Sequence, residues 1–291
     1  MTRRNDLSWS DTLQACKNAG FPVAACLSLP LKIEEPALDH FLTQDLGGLE
    51  WLRRHRDLRR NPEHLLPGAT SLLMVLVPQP TVSSPGLAAS MRGPDYHRVL
   101  RKKLSHLGKT LAHFCQQDAS GTSRAVVDSA PLAERHLAVL AGLGWIGKSG
   151  MLIHPELGGR VWIASLLTTF TIEPSHFPVI SSRCGDCRCC ITACPSGAIC
   201  EIGVQALRCL SYLTLEHHGP LTANLHGQWC GCDACLDACP WNTPAARDSE
   251  PSLETLKMMD EQTWEKTFAG TIVKRLGFER FRRNLDASPK A

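Results

Sequence analysis

The chain has 291 residues, of which 43% are hydrophobic and 20% charged, and 31 basic against 28 acidic residues give a net charge of +3. This length suits one large or two ordinary globular domains, and so small a charge excess does not by itself identify a nucleic-acid-binding protein. No uninterrupted apolar run approaches the roughly 18 residues of a membrane-spanning helix. Polar residues, not an apolar signal segment, follow Arg3 and Arg4. The sequence therefore predicts a cytoplasmic protein with no membrane partner.

The predicted elements of the first 175 residues mix helices with strands. Apolar residues three and four apart predict helices over 11–60 and 96–117, and Pro131 is typical of a first helical position. Residues 78–94 are rich in proline and are expected to form a loop. Short apolar segments predict strands at 72–77, 125–127, 151–153 and 161–169.

Composition divides the chain into three parts. Residues 1–175 are expected to form an α+β domain, and Pro174 and Pro178 mark its end. Residues 176–245 hold most of the cysteines and form a small metal domain. Residues 246–291 read as a helical tail.

The cysteine content is unusual, because 11 of the 14 cysteines lie between Cys184 and Cys239. A disulfide framework suits short secreted chains, whereas clustered thiols in a long chain without an export signal indicate metal binding. The first run, Cys184-x2-Cys187-x2-Cys190-x3-Cys194-Pro195, has the spacing of bacterial 4Fe–4S ferredoxins. The second run, Cys232-x2-Cys235-x3-Cys239-Pro240, is one thiol short of a full motif.

In the ferredoxin pattern, the last cysteine of each run binds the cluster that the other run holds. Cluster 1 is therefore expected to use Cys184, Cys187, Cys190 and Cys239. Cluster 2 is expected to use Cys194, Cys232 and Cys235 with one further thiol. Its candidates are Cys200, Cys209 and Cys230, of which elimination on spacing favours Cys209, while Cys189 is out of register in the first run.

Zinc is the alternative metal, since two C-x2-C pairs can form a tetrahedral thiolate site. Zinc needs four thiolates, which would leave both Cys-Pro pairs and several thiols unexplained. Two 4Fe–4S clusters account for more of the sequence.

Asp128 follows a predicted strand and precedes a predicted helix, where a carboxylate could enter a pocket. Local sequence alone favours the simpler interpretation, in which Asp128 or Ser129 caps the helix that begins near Pro131. The glycines of 141–148 allow two interpretations equally, either close approach of a flat ligand or a helix end followed by a turn.

Several motifs, taken together, resemble the cobalamin-dependent epoxyqueuosine reductases over nearly the whole chain, from about residue 10 to Asn284. They are Trp51-x2-Arg54-His55, Gly93-x-Asp95-Tyr96-His97, Val127-Asp128-Ser129-Ala130-Pro131-x2-Glu134-Arg135, Ala141-Gly142-Leu143-Gly144-Trp145-x-Gly147-Lys148, Arg208-Cys209-x-Ser211-Tyr212 and Gly231-Cys232-Asp233-x-Cys235. The chain departs from the family pattern at Ala89-Ser90, Ser149-Gly150 and Ala164-Ser165. Beyond Asn284 it lacks the helical-repeat domain of the longer members.

The resemblance implies a nitroreductase-like α+β domain that binds cobalamin, joined to a ferredoxin-like module with two 4Fe–4S clusters. It implies that Asp128 is the proton donor, that Arg54, Asp128, Ser211 and Asp233 line the corrinoid, and that Cys209 completes cluster 2. The implied reaction removes the epoxide oxygen of epoxyqueuosine in tRNA and consumes two electrons. An electron donor such as a flavodoxin or ferredoxin is then a second partner.

This chemistry sets an expectation for Asp128. The alkoxide left when an epoxide C–O bond breaks must receive a proton, so the donor's pKa is expected to lie well above the free value of about 3.9, raised by burial. Two alternatives to this function are a corrinoid reductive dehalogenase and a non-catalytic two-cluster electron carrier. Basic groups at 53–60, 101–103 and 274–283 are candidate tRNA contacts or ordinary solvated helix faces.

Overall fold

A computed structural model describes residues 6–34, 39, 41–115, 122–201, 203–249 and 251–288. The strands are β1 (Asp6–Leu7), β2 (Val23–Ser28), β3 (Ser71–Pro78), β4 (Val82–Ser83), β5 (Ser123–Val126), β6 (Trp145–Ile146), β7 (Leu152–Ile153), β8 (Val161–Thr168), β9 (Thr171–Ile172), β10 (Ile199–Cys200), β11 (Gly203–Val204) and β12 (Ala246–Arg247). The α-helices are α1 (Trp9–Asn18), α2 (Trp51–Arg54), α3 (Arg56–Arg60), α4 (Tyr96–Phe114), α5 (Glu134–Leu140), α6 (Cys189–Ala193), α7 (Leu210–Leu215), α8 (Ala234–Asp237), α9 (Leu253–Lys257), α10 (Glu261–Thr267) and α11 (Phe278–Asp286).

The centre of the fold is a four-stranded antiparallel sheet in the order β2–β3–β8–β5. Strand β3 is interior to the sheet and buried on both faces, as its continuous apolar run predicts. Its register places Met74 opposite Ser165 of β8. The predicted strands at 72–77 and 161–169 are thus confirmed.

The alternation of side chains along β3 divides the core into two layers. Leu73 and Val75 pack against α1 and the apolar side of α4, including Leu104 and Leu107. Leu72 and Met74 face the opposite layer, which α5 covers with residues such as Leu137. This mixed architecture confirms the predicted α+β class.

Two local predictions are wrong. Residues 23–28, expected to be helical, form strand β2, because α1 ends before Gly20 and the following segment pairs with β3 along its whole length. Helix α5 begins at Glu134, not at Pro131, with Ala133 as its N-cap. Pairing with a buried strand outweighs weak helical periodicity in the first case.

The tail is helical, as predicted, and packs against the end of the cysteine region. Trp264, Phe268 and Phe281 enclose the buried indole of Trp229 in a separate apolar core. Strand β12 pairs in parallel with β4. Strand β4 lies inside residues 78–94, the segment predicted to be a loop. Within the ranges that the structure describes, no helix is both long and apolar enough to cross a bilayer.

Candidate active site and cluster-binding region

Asp128 lies just beyond the end of β5, at the start of the loop that leads to α5. Its φ of +48° is in the left-handed region, which a non-glycine residue adopts at a cost of about 1–3 kcal/mol. Such a conformation persists only when the surrounding contacts determine it. The contacts of Asp128 are therefore the first feature to establish.

Two residues at the start of α4 meet the Asp128 carboxylate. Tyr96 Oη donates a hydrogen bond of 3.0 Å to Asp128 Oδ2, and His97 Nε2 lies 3.4 Å from the same oxygen. Tyr96 is held between the rings of His97 and Trp162, with centroid distances of 4.0 and 4.7 Å. Sequence separation hides this arrangement, because the motif that contains Tyr96 lies 32 residues before Asp128.

His97 connects Asp128 to a second carboxylate. Its Nδ1 lies 2.9 Å from Oδ1 of Asp95, the residue that caps α4 by accepting the backbone N–H of His97. Because a proton on Nδ1 is held by Asp95, Nε2 is left to face Asp128. The row of contacts from Asp95 through His97 to Asp128 can therefore move a proton to or from the exposed end of the site.

The expected pKa of Asp128 is wrong in direction. The protein atoms around the carboxylate raise its pKa by displacing part of its water. The hydrogen bond and charge of His97, the hydrogen bond from Tyr96 and the charge of Arg135 together outweigh this and hold the pKa of Asp128 below its usual value. The side chain is 62% exposed, so water also stabilises the carboxylate. Asp128 rests as an anion and must gain a proton before it can donate one.

Glu134 is the carboxyl group of this site whose pKa is raised. Burial, followed by the charge of Asp128, raises the pKa of Glu134 to about 8. Its Oε1 accepts a hydrogen bond of 3.1 Å from the backbone N–H of Asp128.

The capping interpretation of Asp128 is wrong, because α5 starts six residues later and Ala133 provides no side-chain cap.

The protonation of Glu134 predicts a pH dependence of stability. The folded protein keeps this proton up to about pH 8, whereas the unfolded chain loses it near the ordinary value of 4.5. Because the folded state binds more protons in this window, the free energy of unfolding contributed by Glu134 falls as pH rises through it. We expect Glu134→Gln, which does not titrate, to gain thermal stability over the wild type as pH rises from 5 to about 8. A melting-temperature difference that stays constant over this range would contradict the assignment.

The cysteines of the metal domain form two groups. In the first, the pKa of Cys190 is raised by burial and then by Cys184, Cys239 and Cys187, and the pKa of Cys239 is raised by burial and by Cys184 and Cys187. These are the four thiols predicted for cluster 1. The interaction of Cys239 with the first run follows the crossed ferredoxin pattern.

The second group contains the thiols predicted for cluster 2. Burial raises the pKa of Cys232 to about 11, with contributions from Cys209 and Cys194. Burial also raises the pKa of Cys235 to about 12, with contributions from Cys232 and Cys209. Thiols packed this closely repel one another as thiolates unless cations lie between them, which is the environment that iron provides. The donor set therefore fits two thiolate-bound clusters.

The remaining cysteines of the region lie apart from these groups or at their edge. Cys189 is exposed, and its hydrogen bond with Cys187 raises the pKa of the Cys189 thiol. Cys200 Sγ donates to the carbonyl of Gly203 at 3.2 Å, and Cys230 is buried in the core around Trp229. Cys209, of the three candidates, is the one that joins the second group.

Asp233, predicted to line the corrinoid, also makes contacts within the protein through one carboxylate oxygen. Oδ2 accepts the backbone N–H of Ala89 at 2.7 Å and lies 3.0 Å from Nη1 of the buried Arg160. The other arm of Arg160 binds Asp237. We call Arg160, Asp233 and Asp237 the arginine fork. It joins the start of β8 to the segment that carries Cys232 and Cys235, and nothing in the sequence singled out Arg160.

The other predicted residues are placed around the same region. Arg54 is exposed at the end of α2, and Ser211 on α7 donates weakly to the carbonyl of Cys232 at 3.5 Å. At Gly147 a Cβ atom would meet Ile153 and lie 3.4 Å from Cys184 Sγ. The glycines there pack against protein atoms, as the turn interpretation requires. Ser165 is buried in the core beside Met74.

Comparison with known proteins adds the decisive observation. Residues 59–129 match the family described as "Epoxyqueuosine reductase QueG, DUF1730", and residues 183–242 match a 4Fe–4S double cluster binding domain. The epoxyqueuosine reductases of Vibrio cholerae and Escherichia coli are each 34% identical over 91% of this chain, which spans 78% and 76% of their lengths. The chain belongs to the epoxyqueuosine reductase family.

Solved structures of the family share the fold. An epoxyqueuosine reductase crystallised with an epoxyqueuosine-modified tRNA-Tyr stem loop is 25% identical, with a TM-score of 0.82 over 96% of this chain and 80% of its own. A catabolic reductive dehalogenase is more distant, at 14% identity and a TM-score of 0.51 over 95% of this chain and 37% of its own, and shows the fold alone. As a family member the chain is an oxidoreductase, and its cysteine region is a double 4Fe–4S domain.

Proposed function

We propose that this protein reduces epoxyqueuosine in tRNA to queuosine, with cobalamin and two 4Fe–4S clusters as its cofactors. The overall change adds two electrons and two protons to the epoxide, re-forms a carbon–carbon double bond and releases the oxygen as water. The observation that carries the proposal is the exposed Asp128 carboxylate, set among hydrogen-bond donors in a chain of this family. Because the substrate is tRNA, the cytoplasm is the proposed location.

The chain's own residues supply the protons. Asp128 is the group at the solvent-exposed end of the site, so it hands a proton to the oxygen that leaves the substrate. It rests ionised, and His97 Nε2 lies 3.4 Å away, with Asp95 holding the far side of the imidazole. When His97 carries a proton on both ring nitrogens, its Nε2–H is the proton that returns to Asp128. Tyr96, whose pKa burial and Asp128 raise, keeps its proton and serves to orient the carboxylate.

The eight cysteines of the two groups are proposed as the ligands of the two clusters: Cys184, Cys187, Cys190 and Cys239 for cluster 1, and Cys194, Cys209, Cys232 and Cys235 for cluster 2. When bound, cobalamin supplies the cobalt that delivers electrons to the substrate. Arg54, Asp128, Ser211 and Asp233 are proposed to face it. Asp233 also supports the pocket through the arginine fork, in which its Oδ2 is bound.

The basic side chains considered as tRNA contacts are of two kinds, according to what they contact in the structure. Arg280 and Arg283 donate to backbone carbonyls, among them those of Leu215 and His217, which is a structural role. Arg101 instead reaches Ser129 in the Asp128 loop, at 2.6 Å between Nη2 and Oγ. We therefore propose Arg101 as a contact for tRNA phosphate next to the site. An electron donor such as a flavodoxin or ferredoxin completes the system.

The test is a turnover assay with protein reconstituted anaerobically with iron, sulfide and cobalamin. tRNA that contains epoxyqueuosine is incubated with a one-electron reductant, digested and analysed by mass spectrometry for queuosine. Conversion is expected, together with a change in the electron paramagnetic resonance spectrum of added cob(II)alamin. Protein with eight irons and no affinity for cobalamin would favour the electron carrier. Cobalamin binding with turnover of aryl halides but not of tRNA would favour the dehalogenase.

A further inference from the structure

The loop from Asp128 to Ala133 carries the exposed carboxylate of the site, and side chains from several elements contact it. Tyr96 and His97 contact the side chain of Asp128, Arg101 contacts Ser129, and Arg59 donates to the carbonyl of Leu132 at 3.3 Å. Among the residues that the structure describes, one side chain hydrogen-bonds to the backbone of Asp128 itself: Glu134 Oε1 accepts its N–H at 3.1 Å.

The geometry points to Glu134 as a positioning residue, whose side chain holds the backbone of Asp128 in its left-handed conformation and so keeps the carboxylate on Tyr96 and His97. The inference rests on the proposed role of Asp128. A left-handed aspartate reverts to the commoner extended or helical conformations unless something holds its peptide group. Either change would swing the side chain away from α4, because φ sets the direction of Cα–Cβ relative to the preceding strand.

The Glu134 carboxyl group is suited to this contact. Glu134 is the first residue of α5, and the buried face of α5 is anchored in the core through Leu137. The backbone of Glu134 is therefore fixed relative to the sheet. The raised pKa of Glu134 means that the group is largely uncharged at neutral pH, and an uncharged carboxyl still presents a carbonyl oxygen to an N–H donor. Glutamine presents the same carbonyl at the same reach, whereas aspartate is one methylene shorter.

Three variants separate positioning from charge and from folding. We expect Glu134→Gln to retain kcat within about threefold of the wild type. Glu134→Asp and Glu134→Ala should both lose kcat by about tenfold or more, with little change in KM for tRNA, since neither reaches the Asp128 N–H. Loss in the aspartate variant, which keeps the carboxyl group, excludes charge as the cause. Equal loss in the glutamine variant would overturn the positioning role.

A second measurement does not depend on turnover. Hydrogen exchange of the 127–133 peptides, measured by mass spectrometry on the reconstituted protein, reports on the Asp128 amide directly. Exchange should be faster in Glu134→Ala and Glu134→Asp and unchanged in Glu134→Gln, with the β3 peptides unaffected in all three. Wild-type exchange in the alanine variant would overturn the inference. If Asp128→Asn is fully active while exchange follows the expected pattern, the proposed role of Asp128 fails and the contact with Glu134 stands.

Discussion

Replacing Cys209 with alanine is expected to remove cluster 2 and to lower the iron content from about eight atoms per chain to about four. Cys209 lies outside both cysteine runs, yet its charge reaches Cys232 and Cys235. A four-iron cluster held by three thiolates has an open iron and is readily lost. Because electrons pass singly through the clusters, turnover of epoxyqueuosine-containing tRNA should fall below detection.

Cys189 provides the matched control. It lies next to Cys190 and hydrogen-bonds with Cys187, but it belongs to neither group of four. Cys189→Ala should therefore keep about eight irons and eight acid-labile sulfides. Iron and sulfide analysis of anaerobically prepared protein measures both variants. A Cys209→Ala protein with full iron, or stoichiometric zinc in the wild type, would contradict the ligand assignment.

Replacing Asp128 with asparagine is expected to lower turnover by about 10²–10⁴-fold, the usual contribution of a general acid. Asparagine keeps the size of the side chain and tolerates the left-handed backbone that Asp128 adopts. The Tyr96 hydroxyl can still donate to the amide oxygen, so the loop should stay in place. What is lost is the proton that passes between His97 and the substrate.

Iron content and cobalamin binding should be unchanged in Asp128→Asn, because this carboxylate holds no iron. Ser129→Ala is the neighbouring comparison: it removes the contact with Arg101 but leaves the proton path, so its turnover should fall far less than that of Asp128→Asn. Conversion of tRNA by Asp128→Asn at a rate near that of the wild type would remove Asp128 from the mechanism. The cluster assignment would be unaffected.

The sequence predicts best those features that depend on local spacing. The continuous apolar runs of β3 and β8 and the crossed grouping of Cys239 with Cys184 and Cys187 follow from residues close together in the chain or from a fixed motif. Strand β2 escapes prediction because its identity depends on pairing with β3, more than forty residues away. Local periodicity carries no information about such a partner.

The site also has properties that local sequence cannot predict. Asp128 and the His97 motif are both recognisable in the sequence, but their contact brings together the end of β5 and the start of α4. That contact lowers the pKa of Asp128 and reverses the direction expected from burial. Glu134, named only as part of a motif, proves to be the carboxyl group of the site whose pKa is raised. Electrostatic environment, unlike residue type, is a property of the assembled structure.

The arginine fork has a consequence for the design of chimaeras within the family. A buried guanidinium from the α+β domain is neutralised by two aspartates of the cysteine region, and removing one side of such a pair costs about 3–5 kcal/mol. Exchange of the cysteine region with a relative that lacks these aspartates must therefore transfer residue 160 with it. A junction placed in the proline-containing segment at 174–178 would take Arg160 from one parent and both of its partners from the other. The buried positive charge would then be unpaired wherever the second parent has no acidic residues at these two positions.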